Sequence, residues 1–289
     1  MKIIVVGLSG MLGHKLFSFL QHQKNYDLYA TTTTNFGVVF PRFEILKTKN
    51  IFYSEKQDIN FFEKIFSKIN PDIVINCIAI LNESFFNQNP KEYIKINSIF
   101  PHEISILSKK YNFKFIHFST DILYDKTNQL SDESDELCID SLYASSKFLG
   151  EVTYNNSITI RTSIIGHQIN GKGGLLEWFL SNNSKTVNGF SNVIYTGLTT
   201  TELSKIFHKY IIPNYNHLSG IFNISSNPIS KFQLLKTIKK YYNKKIEIND
   251  DSSFISNRSL DSTLFNKQTG YLVPEWETMI KEMYNDFKN

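Results

Sequence analysis

KIIVVGLSGMLG, residues 2–13, runs from five strand-forming residues straight into three glycines spaced every third position. Residues 2–6 predict a strand and residues from about 11 to 21 a helix. Between them, Gly7, Gly10 and Gly13 supply what a phosphate-cradling turn needs. One glycine allows the tight turn, one lets backbone N–H groups approach a phosphate, and one lets the helix pack close to the strand. The spacing is G-x-x-G-x-x-G, not G-x-G-x-x-G, so its context carries the meaning: a strand comes before it and a helix after. Dinucleotide binding is the reading, with Gly7, Ser9, Gly10, Met11, Leu12 and Gly13 as contact residues; a ligand-free βα turn is the alternative.

Outward from this loop, short apolar runs alternate with helical segments. Strands are expected at 27–31, 51–53, 72–80 (DIVINCIAI), 113–119 (FKFIHFS) and 157–165 (SITIRTSII), and helices at about 60–69, 90–111 and from Tyr143 onward. The near-continuous apolar run at 72–80 implies a strand buried on both faces. Strands separated by helices form βαβ units, so the fold class is α/β, a Rossmann-type doubly wound parallel sheet. After residue 166 the rhythm loosens, and the turn NGKGG (170–174) leads to the helix LLEWFLSN. Residues 1–165 are therefore assigned to the dinucleotide-binding domain, with later elements added to it. Residues 166–289 are assigned mainly to a smaller substrate-binding lobe.

Composition narrows the function classes. The 289 residues are 41% hydrophobic, which suits a globular chain with a sizeable core. Net charge is +4, from 31 basic and 27 acidic residues without a basic run, so no nucleic-acid partner is expected. Two cysteines, Cys77 and Cys138, give no disulfide framework and point to a reducing, cytoplasmic setting. No apolar run approaches membrane-spanning length. The seven histidines show no ligand spacing, so no metal is expected. The second strand ends in Thr31–Thr34, with neither the carboxylate that binds the ribose hydroxyl of NAD nor a base for the phosphate of NADP. Lack of the carboxylate favours NADP(H), with threonine hydroxyls and Arg42 or a lysine near the phosphate; NAD(H) is the alternative.

HFSTDILYD (117–125) places Ser119, Thr120 and Asp121 at the carboxyl end of a strand, the edge where open α/β sheets bind ligands. Tyr143 and Lys147 follow at i and i+4, on one helix face. Glycine loop, strand-closing Ser/Thr and downstream Y-x-x-x-K in this order resemble an extended short-chain dehydrogenase/reductase. GLSGMLGHKL, PDIVINCIAI, KINSIFPHEIS, FIHFSTDILYD, SLYASSKFLGE and RSLDSTLF…TGYLVPEW resemble the dTDP-4-dehydrorhamnose reductase family. LYASSKFLGE…RTSIIGH…EWFL…RSLDS looks closer to a branch of O-antigen and capsule pathways that reduces UDP-linked 2-acetamido-2,6-dideoxy-4-hexuloses.

The resemblance implies NADPH-dependent reduction of the 4-keto group of a nucleotide-linked 6-deoxy-hexulose, for a surface polysaccharide sugar. Tyr143 donates the proton as general acid, and Thr120 hydrogen-bonds the carbonyl oxygen. A lysine ammonium at about 4–5 Å favours the tyrosine phenolate by roughly 3–4 kcal/mol at an effective dielectric of about 20. Lys147 is that cation and also a holder of the nicotinamide ribose. The resemblance further implies cofactor contacts at Thr31, Asp58, Ile59, Cys77 and Ala79.

Two neighbouring activities lack their residues. Sugar-nucleotide 4,6-dehydratases carry Asp-Glu after the threonine; here Asp121 is followed by Ile122. Fucose-type epimerase–reductases carry a cysteine where this chain has Asp121. An epimerase with tightly bound NAD stays open, as does a cofactor-binding regulatory subunit. On the substrate side, Arg258 is the first candidate for the diphosphate, and Arg161, in an apolar strand, is as well read as half of a buried ion pair. Asp121, His167, Asn170, Lys172 and Trp178 complete the candidates, Trp178 as a stacking partner for the base or as core. A nucleotide-sugar substrate and no membrane are expected; a homodimer is an open assembly.

Overall fold

A computed structural model describes residues 1–23, 25–34, 50–56, 58–81, 83–124, 130–169, 173–183 and 185–288. Six strands precede residue 162: β1 (Lys2–Val6), β2 (Asp27–Thr32), β3 (Ile51–Tyr53), β4 (Ile73–Asn76), β5 (Lys114–Phe118) and β6 (Ser157–Arg161). Eight more follow: β7 (Ile164–Ile165), β8 (Thr186–Phe190), β9 (Val193–Tyr195), β10 (Leu198–Thr199), β11 (Gly220–Asn223), β12 (Ile229–Ser230), β13 (Glu247–Asp251) and β14 (Ser256–Asn257). The main sheet has the order β11-β6-β5-β4-β1-β2-β3, and every neighbouring pair in it is parallel. Strand order reverses between β1 and β4, which opens a crevice at the carboxyl edge beside the glycine loop. This is the Rossmann-type α/β sheet that the residue pattern implies.

Alternate residues of each strand feed two cores. Ile3, Val5, Ile73, Ile75, Ile116, Ile158 and Ile160 face one side, with Leu16, Phe17 and Leu20 of the helix Met11–His22 and Met279, Ile280 and Met283 of the helix Trp276–Lys288. Ile4, Val6, Val74 and Phe115 face the other, with Phe62, Ile65 and Phe66 of the helix Ile59–Ile69 and Ile104 and Leu107 of the helix Phe100–Tyr111. A period of two with both faces apolar is the pattern of a sheet covered by helices on each side.

Three elements end differently from the sequence reading, each for a local reason. The run 72–80 is a strand only over Ile73–Asn76, because Asn76 Oδ1 accepts the Ile78 amide at 3.0 Å and turns the chain out of the ladder. The run 157–165 breaks after Arg161, where Thr162 Oγ1 donates to the Ile224 carbonyl at 2.7 Å; β7 then pairs with β10 outside the main sheet. The segment 90–111 is not one α-helix: Pro90–Ile94 and Phe100–Tyr111 flank a π-helical turn at Lys95–Ile99. After residue 166, β8 pairs with β13, and β9 lies between β12 and β14; β11 meanwhile returns to the main sheet.

Candidate active site

The glycine loop is held by its neighbour strand. Gly7 and Leu8 amides both donate to the Thr31 carbonyl, at 3.2 and 2.9 Å. Gly7 takes φ +89°, a conformation that favours glycine. A Cβ on Gly13 would stand 2.1 Å from the Gly7 carbonyl oxygen, so only glycine lets the helix start this close to the loop. The result is a cavity of about 650 Å³ bounded by the loop, the carboxyl end of β4 and the start of the helix Ile59–Ile69. Gly7 and Gly10 border it without side chains, which leaves room for a dinucleotide diphosphate beside the loop, while their own amides are taken by the Thr31 and Gly7 carbonyls.

Of the expected cofactor residues, Gly7, Ser9, Gly10, Asp58, Cys77 and Ala79 line this cavity. Met11, Leu12, Gly13, Thr31 and Ile59 do not. Leu12 belongs to the core, Gly13 packs on the loop, and Met11 turns its methyl toward Gly174. Thr31 is fully buried with its carbonyl taken, and Ile59 packs against the second core. Thr33 and Lys56 line the cavity instead, beside Glu55. Asp58 caps the helix Ile59–Ile69, accepting the Phe61 amide at 3.0 Å. Burial pushes the Cys77 thiol up, so it stays neutral. Arg42, Asn170 and Lys172 lie outside the described residues.

Beyond the wall formed by residues 77–80 stands the Thr120–Tyr143–Lys147 group. Thr120 caps the short turn Asp121–Leu123 at the end of β5, its Oγ1 3.3 Å from the Ile122 amide. Tyr143 sits in the first turn of the helix Leu142–Phe148, capped by Ser141, and its hydroxyl is in hydrogen-bonding contact with Thr120. Burial and then the Asp121 carboxylate push the Tyr143 hydroxyl up, so it holds its proton at neutral pH. Lys147, one turn on, is 1% exposed. Burial lowers its pKa to about 8, with Glu151 acting in the opposite sense. Its Nζ does not line the cavity; it lies 3.3 Å from His117 Nε2.

Sequence reading missed four residues that link this group to the cavity wall or pack against that link. Asn97, in the π-helical turn, grips Ile80 through both its backbone groups at 2.8 Å and donates to Ser146 at 3.1 Å. Gly150 lies against that turn, where a Cβ would meet the Asn97 carbonyl at 2.1 Å. His117 and Asn76, direct partners in the β4–β5 register, join Lys147 to the Ile78 amide. The available signal was a polar residue inside each apolar strand, IVIN and KFIHF.

Asp121 lies behind Thr120. Burial raises its carboxyl to about 6, while Arg258 and hydrogen bonds from Ser163 and Thr120 pull it back. Lys231 joins this cluster facing Arg258 and Asp121, and burial lowers its pKa. Ser119 Oγ is buried here without a protein hydrogen-bond partner.

Three expected residues sit elsewhere or differently. His167 uses both ring nitrogens on protein, 2.9 Å to Glu177 and 2.8 Å to Tyr242, and stacks on Phe287. That leaves neither nitrogen for a substrate. Arg161 is the buried ion pair, with Nε and Nη2 on the Glu151 carboxylate at 2.8 and 2.7 Å and Nη1 on Tyr124. Trp178 is 45% exposed on the helix Gly174–Ser181, whose Leu176 and Phe179 enter the core. It is not part of the cavity wall.

Comparison with known proteins bears on the family and the fold. The family model described as the RmlD substrate binding domain matches residues 1–188. A probable low-salt glycan biosynthesis reductase of Haloferax volcanii is 25% identical over 154 residues, 52% of this chain and 48% of that protein. The match thus spans about half the length of that relative. The crystal structure of a dTDP-4-dehydrorhamnose reductase from Clostridium acetobutylicum superposes with a TM-score of 0.78 at 18% identity, covering 100% of both chains. One from Bacillus anthracis in complex with NADP gives 0.76 at 20% identity over 99% of each. At these identities the structures establish the shared fold.

Proposed function

The chain belongs to the RmlD substrate binding domain family, and on that premise we propose that it reduces the 4-keto group of a nucleotide-linked 6-deoxy-hexulose with NADPH. The observation that carries this reading is the placement of Thr120, Tyr143 and Lys147 at the carboxyl edge of the sheet, next to the glycine-lined cavity. A reduced nicotinamide dinucleotide in that cavity supplies the hydride. Gly7 and Gly10 border its diphosphate, and Asp58, Cys77 and Ala79 flank its path.

The chain's own residues do the rest. Thr120 Oγ1 donates to the substrate carbonyl oxygen and orients it. Tyr143 donates its proton to that oxygen; its raised pKa keeps the proton available throughout the neutral range. Lys147, in its ammonium form, stabilises the phenolate left behind. Arg258 and Lys231 are the cations for the substrate diphosphate. Residues 1–165 with β11 form the cofactor-binding part in this proposal, and most of 166–289 the substrate lobe. Synthesis of a surface polysaccharide sugar is the proposed context. Among the described residues no helix is long and apolar enough to cross a membrane.

The choice of NADPH over NADH in this proposal is supported by Lys56 and Thr33 on the cavity wall, beside Glu55. Turnover with a panel of UDP-, dTDP- and GDP-linked 4-keto-6-deoxy sugars should consume one NADPH per product. A Lys56→Glu variant should raise the KM for NADPH about tenfold and leave that for NADH nearly unchanged, as expected for about 1.4 kcal/mol lost at one phosphate contact. Product formed without net cofactor oxidation would replace the reductase reading with an epimerase.

A further inference from the structure

The fixed point is a backbone donor. The Ile78 N–H can only donate, and Asn76 Oδ1 accepts it at 3.0 Å. That orients the Asn76 amide with Nδ2 toward His117 Nδ1, 3.1 Å away. An amide NH2 has hydrogens and no lone pair to offer, so Nδ1 must be the accepting nitrogen. His117 is 1% exposed, and burial followed by Lys147 holds its pKa well below the usual value, so the ring is neutral. A neutral imidazole that accepts at Nδ1 carries its hydrogen on Nε2. This N–H faces Lys147 Nζ at 3.3 Å.

An ammonium has three donors and no acceptor, whereas a neutral amine has a lone pair. We propose that Asn76 and His117 are positioning residues for Lys147: they fix its nitrogen under the catalytic helix and, by presenting an N–H to it, favour the neutral amine over the ammonium. The inference rests on the proposed reaction, in which the charge of Lys147 supports the Tyr143 phenolate. It makes that support depend on a proton that leaves readily. The lowered pKa of Lys147, near 8, has the same direction.

The other groups around the pair do not supply the effect. Glu151, just past the helix, pulls the other way, and its carboxylate is held in two hydrogen bonds by Arg161 of β6. Tyr143 on the same helix is kept neutral by burial and by Asp121. His102, from the helix Phe100–Tyr111, faces His117 and lies 2.7 Å from the Leu149 carbonyl. Among the described residues, His117 is the hydrogen-bond partner of Lys147 Nζ.

The test reads protonation directly, on the full chain without cofactor, so it stands apart from whether the reductase reading holds. Nitrogen NMR of histidine-labelled protein should show His117 neutral with hydrogen on Nε2. In an Asn76→Asp variant, one carboxylate oxygen can take the Ile78 amide and the other demands a hydrogen on Nδ1. Nε2 is then bare and accepts from the Lys147 ammonium. Carbon NMR of labelled lysine should show the proton affinity of Lys147 rising at least tenfold, about one pH unit. His117→Gln, which can turn its amide oxygen to Nζ, should move it the same way, and in each variant the alkaline limb of kcat should follow. Hydrogen on Nδ1 in the unmodified protein, or a Lys147 titration unmoved in both variants, would overturn the proposal.

Discussion

At Asp121 the protein holds a carboxyl group where ionisation is disfavoured. Burial raises it from 3.8 to about 6 even with Arg258 opposite. A carboxyl whose folded pKa lies above its unfolded one costs stability once ionised. The cost is absent below about pH 3.8, grows as pH rises through about 6, and reaches roughly 3 kcal/mol at neutral pH for a two-unit shift. Asp121→Asn should therefore melt above the unmodified protein at pH 7.5, with the gap closing toward pH 4. A gap that does not depend on pH would show that the carboxyl is not strained. The same residue faces Tyr143 and helps keep that hydroxyl protonated, so a local electrostatic cost serves the proposed proton donor. A motif picks out residues by type, and that is how Thr120, Tyr143 and Lys147, which the structure brings to one site, were singled out. Burial, which dominates the protonation of Asp121 and Lys147, and the Arg258 charge that opposes it at Asp121, both depend on chain far away in sequence.

Element by element, the strands with alternating apolar faces were readable, and their ends were not. Ile73–Asn76 stops where a side chain takes over a backbone hydrogen bond, and β6 stops where Thr162 bonds to Ile224 instead of continuing. Periodicity carries no sign of either event. The π-helical turn at Lys95–Ile99, against which Gly150 packs without room for a Cβ, was equally hidden. At the glycine loop, by contrast, spacing and structure coincide: Gly13 is needed because the Gly7 carbonyl leaves no room. Gly13→Ala should force the helix Met11–His22 away from the loop. Overpacking of this kind typically costs about 1–3 kcal/mol. We expect a lower melting temperature and NADPH affinity reduced at least tenfold in a direct titration, about 1.4 kcal/mol of binding. Unchanged affinity would mean that the loop does not hold the diphosphate.

Across the whole molecule, the sheet's reversal between β1 and β4 brings together residues far apart in the chain. The glycine loop comes from residues 7–13, the wall from 77–80, and the proposed proton donor from 143. The lobe adds Lys231 and Arg258 at the far side of Asp121. The order of motifs made the cofactor side legible. The substrate side was less so, because β9, β12 and β14 are two or three residues long and carry no periodic signal; nothing in the sequence hinted that His167 bonds Glu177 and Tyr242 or that Lys231 stands near Arg258 and Asp121. The central claim concerns one proton. Following NADPH absorbance with a nucleotide-linked 4-keto-6-deoxy sugar that the unmodified protein reduces, Tyr143→Phe should lower kcat by at least about 100-fold, the scale of a lost general acid. NADPH affinity should be retained, since Tyr143 is not on the cavity wall. Undiminished NADPH oxidation by that variant would contradict the account.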